Sequence, residues 1–232
     1  MKVIRLKLFQ ETACYTKPFA NKVAETYPLP PYSTVKGMIH QLLQANELLP
    51  LRFSIQGNYE TKLIDYRKSY MVKKKSVSMP IIFDGLAMEV PEQEHMTSMP
   101  LYTHMLFNVE LVIHIAGEEA LLERIYQHFI ELNQHLSLGR HEDLVRVDEV
   151  TFVELEECDE WYSKYAIYAP KYYYKTDFPA GIPYRLNWTY KIVNGIREWN
   201  KIPSLYVNGN NPHFEDGKLF HTDGEHIVLW NE

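Results

Sequence analysis

The stretch "FNVELVIHIAGEEALLERIYQHFIELNQHL", residues 107–136, changes its apolar period once, and that change restricts the fold more than any other feature of the chain. Val109, Leu111, Ile113 and Ile115 alternate with other residues and predict one face of a strand. Leu121, Leu122, Ile125, Phe129, Leu132 and Leu136 then recur at helical spacing. Glu118 and Glu119 stand in the first turn, where a helix dipole favours acids. The prediction is a strand running into a helix over 118–136. The same order occurs earlier. "KVIRLKLF" alternates Ile4, Leu6 and Leu8 against Arg5 and Lys7, and "LPPYSTVKGMIHQLL", Leu29 to Leu43, carries a stripe of Val35, Met38, Ile39, Leu42 and Leu43. Pro28, Pro30 and Pro31 hold the approach extended, and Ser33 is the expected N-cap. "RVDEVTFVEL" reads as a further strand. Strand, helix, strand excursion, strand, helix, strand is the order of an α+β, ferredoxin-like unit, with two helices on one face of an antiparallel sheet.

The excursion covers about residues 62–100. The strand-like piece "RFSIQGNYE" leads to it; it begins with a second such piece, "KLIDYRKSY", and continues through a Met- and Pro-marked stretch with a turn signal at Asp84-Gly85. A connection of that length predicts a protruding β-hairpin arm, because long loops are mostly functional or disordered. After Cys158 the composition turns aromatic and rich in Asn and Gly. Turn signals at Asn194-Gly195, Asn208-Gly209 and Asp223-Gly224 predict a small β-rich region over 158–232, beside a main domain over 1–157.

The formal charge of −6 argues against a generally basic nucleic-acid binder, but the charge is segregated. Nine acidic residues stand between Glu142 and Glu160 against Arg146 alone, and six basic residues stand between Lys62 and Lys75 against Asp65 alone. No run of 18 apolar residues suggests a membrane span, and the alternating N-terminus does not read as a secretory signal. Cys14 and Cys158 are too isolated for a metal pair and suit a reducing cytoplasm. The chain lacks HExxH, GxSxG, P-loop and GxGxxG patterns. "HFEDG", His213 to Gly217, suits a turn better than a metal site. No cofactor and no metal are expected.

Three places suit a polyanion. At the first helix start, Ser33 and Thr34 offer N–H groups at the positive end of a dipole, with Tyr32 beside them and Lys36 and His40 further along. Gly37 lies off the apolar stripe, costs about 1 kcal/mol relative to Ala, and implies something pressed close against that face. In the arm, Arg67, Lys68, Lys73, Lys74 and Lys75 alternate with Tyr66 and Tyr70. Such cations neutralise phosphates, and the rings can stack on bases. In "LSLGRHED", Gly139 permits close backbone approach while Arg140 and His141 supply donors. Each has a plain structural reading: a capped helix, a solvated lysine tip, and a glycine C-cap.

These pieces together resemble the CRISPR-associated "Cas five" proteins, RAMP-superfamily subunits of the Cascade surveillance complex, most closely those of type I-B systems. The Pro-bounded "PPYSTVKGMIHQLL", the long arm and "LSLGRHEDLVRVDEV" carry the resemblance, over about residues 1–155. It implies a ferredoxin-like body with a β-hairpin thumb at about 62–100 that binds and caps the 5′ handle of the CRISPR RNA (crRNA). It also implies contacts with the large subunit and the first backbone subunit, and with target DNA only indirectly through the complex. The Ser33–Gly37 helix start and the Gly139–His141 turn fall at the family's motif positions. One branch of the family cleaves the repeat with Tyr, Lys and His, the last two adjacent. Here the nearest counterpart is Arg140-His141, and Arg is a poor proton donor. The expectation is binding without catalysis, with a processing endoribonuclease as the first alternative and a protein-interaction module that binds no RNA as the second.

Overall fold

The computed structural model describes residues 1–20, 22–72, 96–158, 163–173, 181–208 and 220–231. In chain order the first half holds β1 (Lys2–Ala13), β2 (Val23–Ala24), α1 (Tyr32–Leu42), β3 (Arg52–Val72), β4 (Met96–Ala116) and α2 (Glu119–Ile130). The second half holds β5 (Leu136–Ser137), β6 (Leu144–Glu154), β7 (Glu156–Cys158), β8 (Ala166–Pro170), β9 (Ile182–Val193), β10 (Ile196–Val207), β11 (Phe220–Thr222) and β12 (Ile227–Val228). Among the described residues, the protein is mostly β-sheet with two α-helices.

The main sheet runs β5-β6-β1-β4-β3-β8-β10-β9, with β2 added in parallel on β4. The strands β6-β1-β4-β3 are antiparallel neighbours, with Leu6 opposite Ile113 on β4 and opposite Val150 on β6. The alternation of β1 assigns its two faces. Ile4, Leu6 and Leu8 join Val109, Leu111, Ile113, Ile115, Phe53 and Ile55 in a core closed by Val35, Ile39 and Leu42 of α1 and by Leu122, Ile125 and Phe129 of α2. Each of these side chains contributes roughly 1.5–3 kcal/mol by leaving water.

Three expectations are corrected in detail. Helix α1 starts one residue before Ser33, with Pro31 at its N-cap, so Ser33 sits inside the first turn and makes no cap bond. Helix α2 ends at Ile130 instead of 136, and Leu136 begins the short strand β5, opposite Val145. The "RFSIQGNYE" and "KLIDYRKSY" pieces form one strand of 21 residues. The region after Cys158 extends the sheet already present: Tyr168, Leu186 and Trp188 belong to the core beneath α1.

The opposite face of the sheet is covered by the end of the chain. Val3, Ala116 and Leu155 pack with Val228 and Trp230. Gln56 Nε2 donates to the Ile227 carbonyl (2.8 Å), Leu229 N–H to Ser54 Oγ (3.0 Å) and Phe53 N–H to Asn231 Oδ1 (2.7 Å). Within this covered layer Asp223 accepts at Oδ2 from Arg5 (2.8 Å), with His114 at 3.0 Å and His226 at 3.3 Å.

Candidate nucleic-acid interface

Strands β3 and β4 keep one register from Arg52↔Ala116 to Val72↔Met96, broken only opposite Glu60, where Asn108 has φ +48°. Only the proximal half lies within the sheet. Beyond Lys62, β3 has β4 as its one strand neighbour among the described residues, and β2 braces β4 at Tyr102 and Thr103. Side chains alternate on such a ladder, so Lys62, Ile64, Tyr66, Lys68 and Tyr70 share one face with their partners Leu106, His104, Tyr102, Pro100 and Ser98. The rings of Tyr66 and Tyr102, directly opposite each other, lie 5.3 Å apart, and both are exposed. The Lys68 ammonium lies 5.1 Å from the Tyr70 ring. This face is a row of cations and rings. Arg67 points to the other face and pairs with Asp65 at 2.6 Å. Lys73, Lys74 and Lys75, the Asp84-Gly85 signal and "HFEDG" lie outside the described residues.

At the base of the arm sits the 139–143 turn, built around the buried Asp143. One of its oxygens accepts from the backbone N–H groups of Cys14 and Arg140, both at 2.9 Å; the other takes Arg140 Nη2 at 2.7 Å. The pair with Asp143 raises the pKa of the Arg140 guanidinium further above its already high value. Gln10 Nε2 donates to the carbonyls of Leu138 (2.9 Å) and Asp143 (3.0 Å), tying the turn to β1. Arg140 also reaches Met105 of the arm, with Nη2 3.4 Å from the sulfur. Gly139 has φ +116°, and a Cβ there would stand 2.7 Å from Asp143 Oδ2 and 3.0 Å from the Cys14 carbonyl. Its smallness therefore serves contacts within the chain, and it is not a helix C-cap, because α2 ends at Ile130.

The helix start differs from its expected role. Tyr32 is fully buried, so its ring cannot stack on a base. Lys36 is buried as well: its ammonium donates to the Trp188 carbonyl at 2.5 Å and sits 4.6 Å from that residue's ring, joining α1 to β9. The Thr34 N–H donates to the Pro31 carbonyl, not to solvent. Ser33, Thr34 and His40 are half-buried; burial, with Lys36 nearby, lowers the His40 pKa. Gly37 is exposed, and among the described residues outside its own helix turn nothing comes within 4 Å of where its Cβ would stand. His141 is almost wholly exposed and contacts Glu142 at 2.9 Å.

These places meet at one end of the molecule. Ala13, at the end of β1, is opposite Leu106, which is opposite Lys62, and Cys14 joins the 139–143 turn. The Tyr27 N–H donates to the Tyr15 carbonyl, and α1 begins five residues later. Sequence reasoning did not single out Tyr102, His104 or Asp143. Tyr102 and His104 become visible only through cross-strand register, and Asp143 looks like any member of the acidic run.

His114, Asp223 and His226 offer three metal-ligand atoms within 4.8 Å of one another. The Asp223 oxygen they share already holds Arg5, whose charge opposes an added cation. Burial works against ionisation of Asp223, but hydrogen bonds from His114, His226 and Arg5 outweigh it and hold the carboxyl far below the usual range. Burial lowers the His114 pKa despite its bond to Asp223. The cluster acts as a polar latch between sheet and C-terminal segment.

The fold is shared with a chain from a structure described as a CRISPR RNA-guided surveillance complex, at 13% identity and TM-score 0.52, over 89% of this chain and 91% of that one. A CRISPR protein from Archaeoglobus fulgidus aligns over 98% of both chains, at 10% identity and TM-score 0.49. No curated protein matches by sequence. The family profile described as CRISPR-associated protein (Cas_Cas5) matches residues 3–200, and the chain belongs to that family.

Proposed function

We propose that the protein is a non-catalytic subunit of a type I CRISPR Cascade surveillance complex, where it binds and caps the 5′ handle of the crRNA. The observation that carries this reading is the arm. Its one face carries Lys62 and Lys68 beside Tyr66, Tyr70 and Tyr102, with the exposed Ile64 between Lys62 and Tyr66, and the 139–143 turn, which belongs to the stretch quoted for the family, buttresses its base. Cations beside exposed rings suit single-stranded RNA, whose splayed bases stack while its phosphates are neutralised. The β-α-β-β-α-β order with β6-β1-β4-β3 pairing supports a ferredoxin-like body, and the arm is then the family's thumb. The fold neighbour from an RNA-guided surveillance complex supports a place among other subunits.

The chemistry near the arm favours binding over cleavage. Metal-free RNA cleavage needs a base at the 2′-OH and an acid at the leaving oxygen. Arg140 is engaged with Asp143, and His141 is solvated beside a carboxylate. The acidic residues of β6 and β7 would repel RNA and suit a basic neighbouring subunit, with the backbone and large subunits as candidates in a type I-B assembly. The test is incubation with labelled CRISPR repeat RNA in EDTA, read on native and denaturing gels. The expected result is a shifted, uncut RNA. A single defined cut that is lost in His141→Ala would make the protein the processing nuclease instead.

A further inference from the structure

The β9–β10 hairpin is a second projecting ribbon. Its pairing is continuous out to Val193↔Ile196, apart from an irregularity near Lys201. The turn is Asn194-Gly195, with φ +51° and +77°, the two left-handed residues a tight primed turn requires. Its base is fixed: Leu186 and Trp188 lie in the core, and Lys36 binds the Trp188 carbonyl. Beyond Trp188 the ribbon leaves the body, and Tyr190 through Glu198 are all exposed. About five residues per strand project, roughly 17 Å at the usual rise. Register gives the direction. Ser204 lies level with Pro170, and β8 passes Gln56 at Ile167, so the ribbon tip points beyond the Arg52 end of the sheet, opposite to the β3–β4 arm.

Its charge runs against that of the chain as a whole. Between Ile182 and Val207 stand Arg185, Lys191, Arg197 and Lys201, all exposed, against Glu198 alone, in a chain whose net charge is −6. Tyr190 and Trp199 face each other across the strands at 5.1 Å, with Arg197 4.6 Å from the Tyr190 ring. These rings pack on one another and stiffen the ribbon. At the tip, Ile192 and Ile196 are each 69% exposed and Val193 40%, and they lie on both faces of the ribbon. A stiff two-stranded ribbon with basic flanks and an aliphatic tip has the form that enters a duplex groove. Two-stranded ribbons dock in duplex grooves, phosphates pair with flanking cations, and aliphatic side chains entering from the minor groove wedge between base steps.

We propose that the β9–β10 ribbon is a duplex-DNA contact, with Lys191 and Arg197 on the phosphates and Ile192 and Ile196 as the wedge. It would act from the end of the molecule opposite the RNA-binding arm. The contact is direct, unlike the indirect one the resemblance implies, and it rests on the reading of the chain as part of a nucleic-acid complex.

The test uses the purified chain and a short labelled DNA duplex containing 2-aminopurine at a central TA step. Anisotropy is read between about 50 and about 200 mM salt. Lys191→Ala/Arg197→Ala is expected to weaken binding about tenfold or more and to reduce the salt slope by about 2. Ile192→Ser/Ile196→Ser is expected to keep the salt slope but to lose the fluorescence gain that unstacking gives. Repeat RNA bound by the same preparations separates the two proposals. A chain that binds repeat RNA but no duplex, or ribbon variants that bind the duplex like the parent, would overturn the ribbon assignment alone. So would equal affinity for the single strand and the duplex. A chain that binds neither would overturn both.

Discussion

Replacing Asp223 with Asn tests how the end of the chain is held to the sheet. The Asp223 side chain is fully buried, and its Oδ2 is shared by Arg5, His114 and His226 at 2.8, 3.0 and 3.3 Å. Asn keeps the shape but removes the charge, leaving the mostly buried Arg5 with Glu149 at 2.7 Å and a distant Glu225 at 3.5 Å. Breaking a buried charge pair costs about 3–5 kcal/mol. Because Glu149 remains, the lower end applies, about 3 kcal/mol, equivalent to roughly 6–12 °C in Tm for a chain of this size. Differential scanning calorimetry measures it, and limited proteolysis should show earlier cleavage near residues 220–231. The pH dependence has a definite sign. His114 has its folded pKa lowered, so the stability of its neutral form is present above the unfolded value of about 6.5 and is lost as pH falls below it. Asp223 is lowered from its ordinary value of 3.8, so its contribution persists through that range and is lost progressively as pH falls below about 3.8. Tm should therefore begin to fall between about pH 6.5 and pH 5, and less so in His114→Gln. An Asp223→Asn protein melting within about 1 °C of the parent, a few tenths of a kcal/mol, would refute the latch.

Gly139→Ala should destabilise by about 1–3 kcal/mol, read by urea unfolding, because the φ of +116° is strained for any side chain and the Cβ meets Asp143 and the Cys14 carbonyl. Lys36→Met should lower stability by about 1–3 kcal/mol by leaving the Trp188 carbonyl unpaired, yet leave the salt slope of RNA binding unchanged; a reduced slope would restore Lys36 as a phosphate contact. A Cβ at Gly37 meets nothing among the described residues, so Gly37→Leu should leave the isolated protein as stable or more so, by up to about 1 kcal/mol. It should still weaken RNA binding or assembly by size-exclusion chromatography, and normal assembly with normal RNA binding would remove the case for a close neighbour at that face.

What the sequence made legible follows from periodicity. Ile4, Leu6 and Leu8 alternate because one face of β1 meets both helices, and the 121–129 stripe placed α2 on that core. The Asn194-Gly195 turn was readable because few other dipeptides supply two residues at positive φ. Pairings across long separations were not readable. Ser33 looks like a cap, yet Pro31 takes that position; Lys36 looks solvent-facing, yet a strand 152 residues away covers it. Arg140 and Gly139 stood out as donor and opening, but the partner that uses both, Asp143, was hidden in an acidic run. Tyr102 joined the arm's ring face only through the register that sets it opposite Tyr66.

The central claim is that the arm grips the 5′ handle, and the most direct measurement compares crRNA with the same RNA lacking its handle. Anisotropy would be read for the parent chain and for a Lys62→Ala/Lys68→Ala variant. The account predicts tighter binding of the handle-bearing RNA by the parent, and loss of that preference in the variant with a salt slope smaller by about 2. Equal binding of both RNAs by the parent, or a preference that survives in the variant, would contradict it.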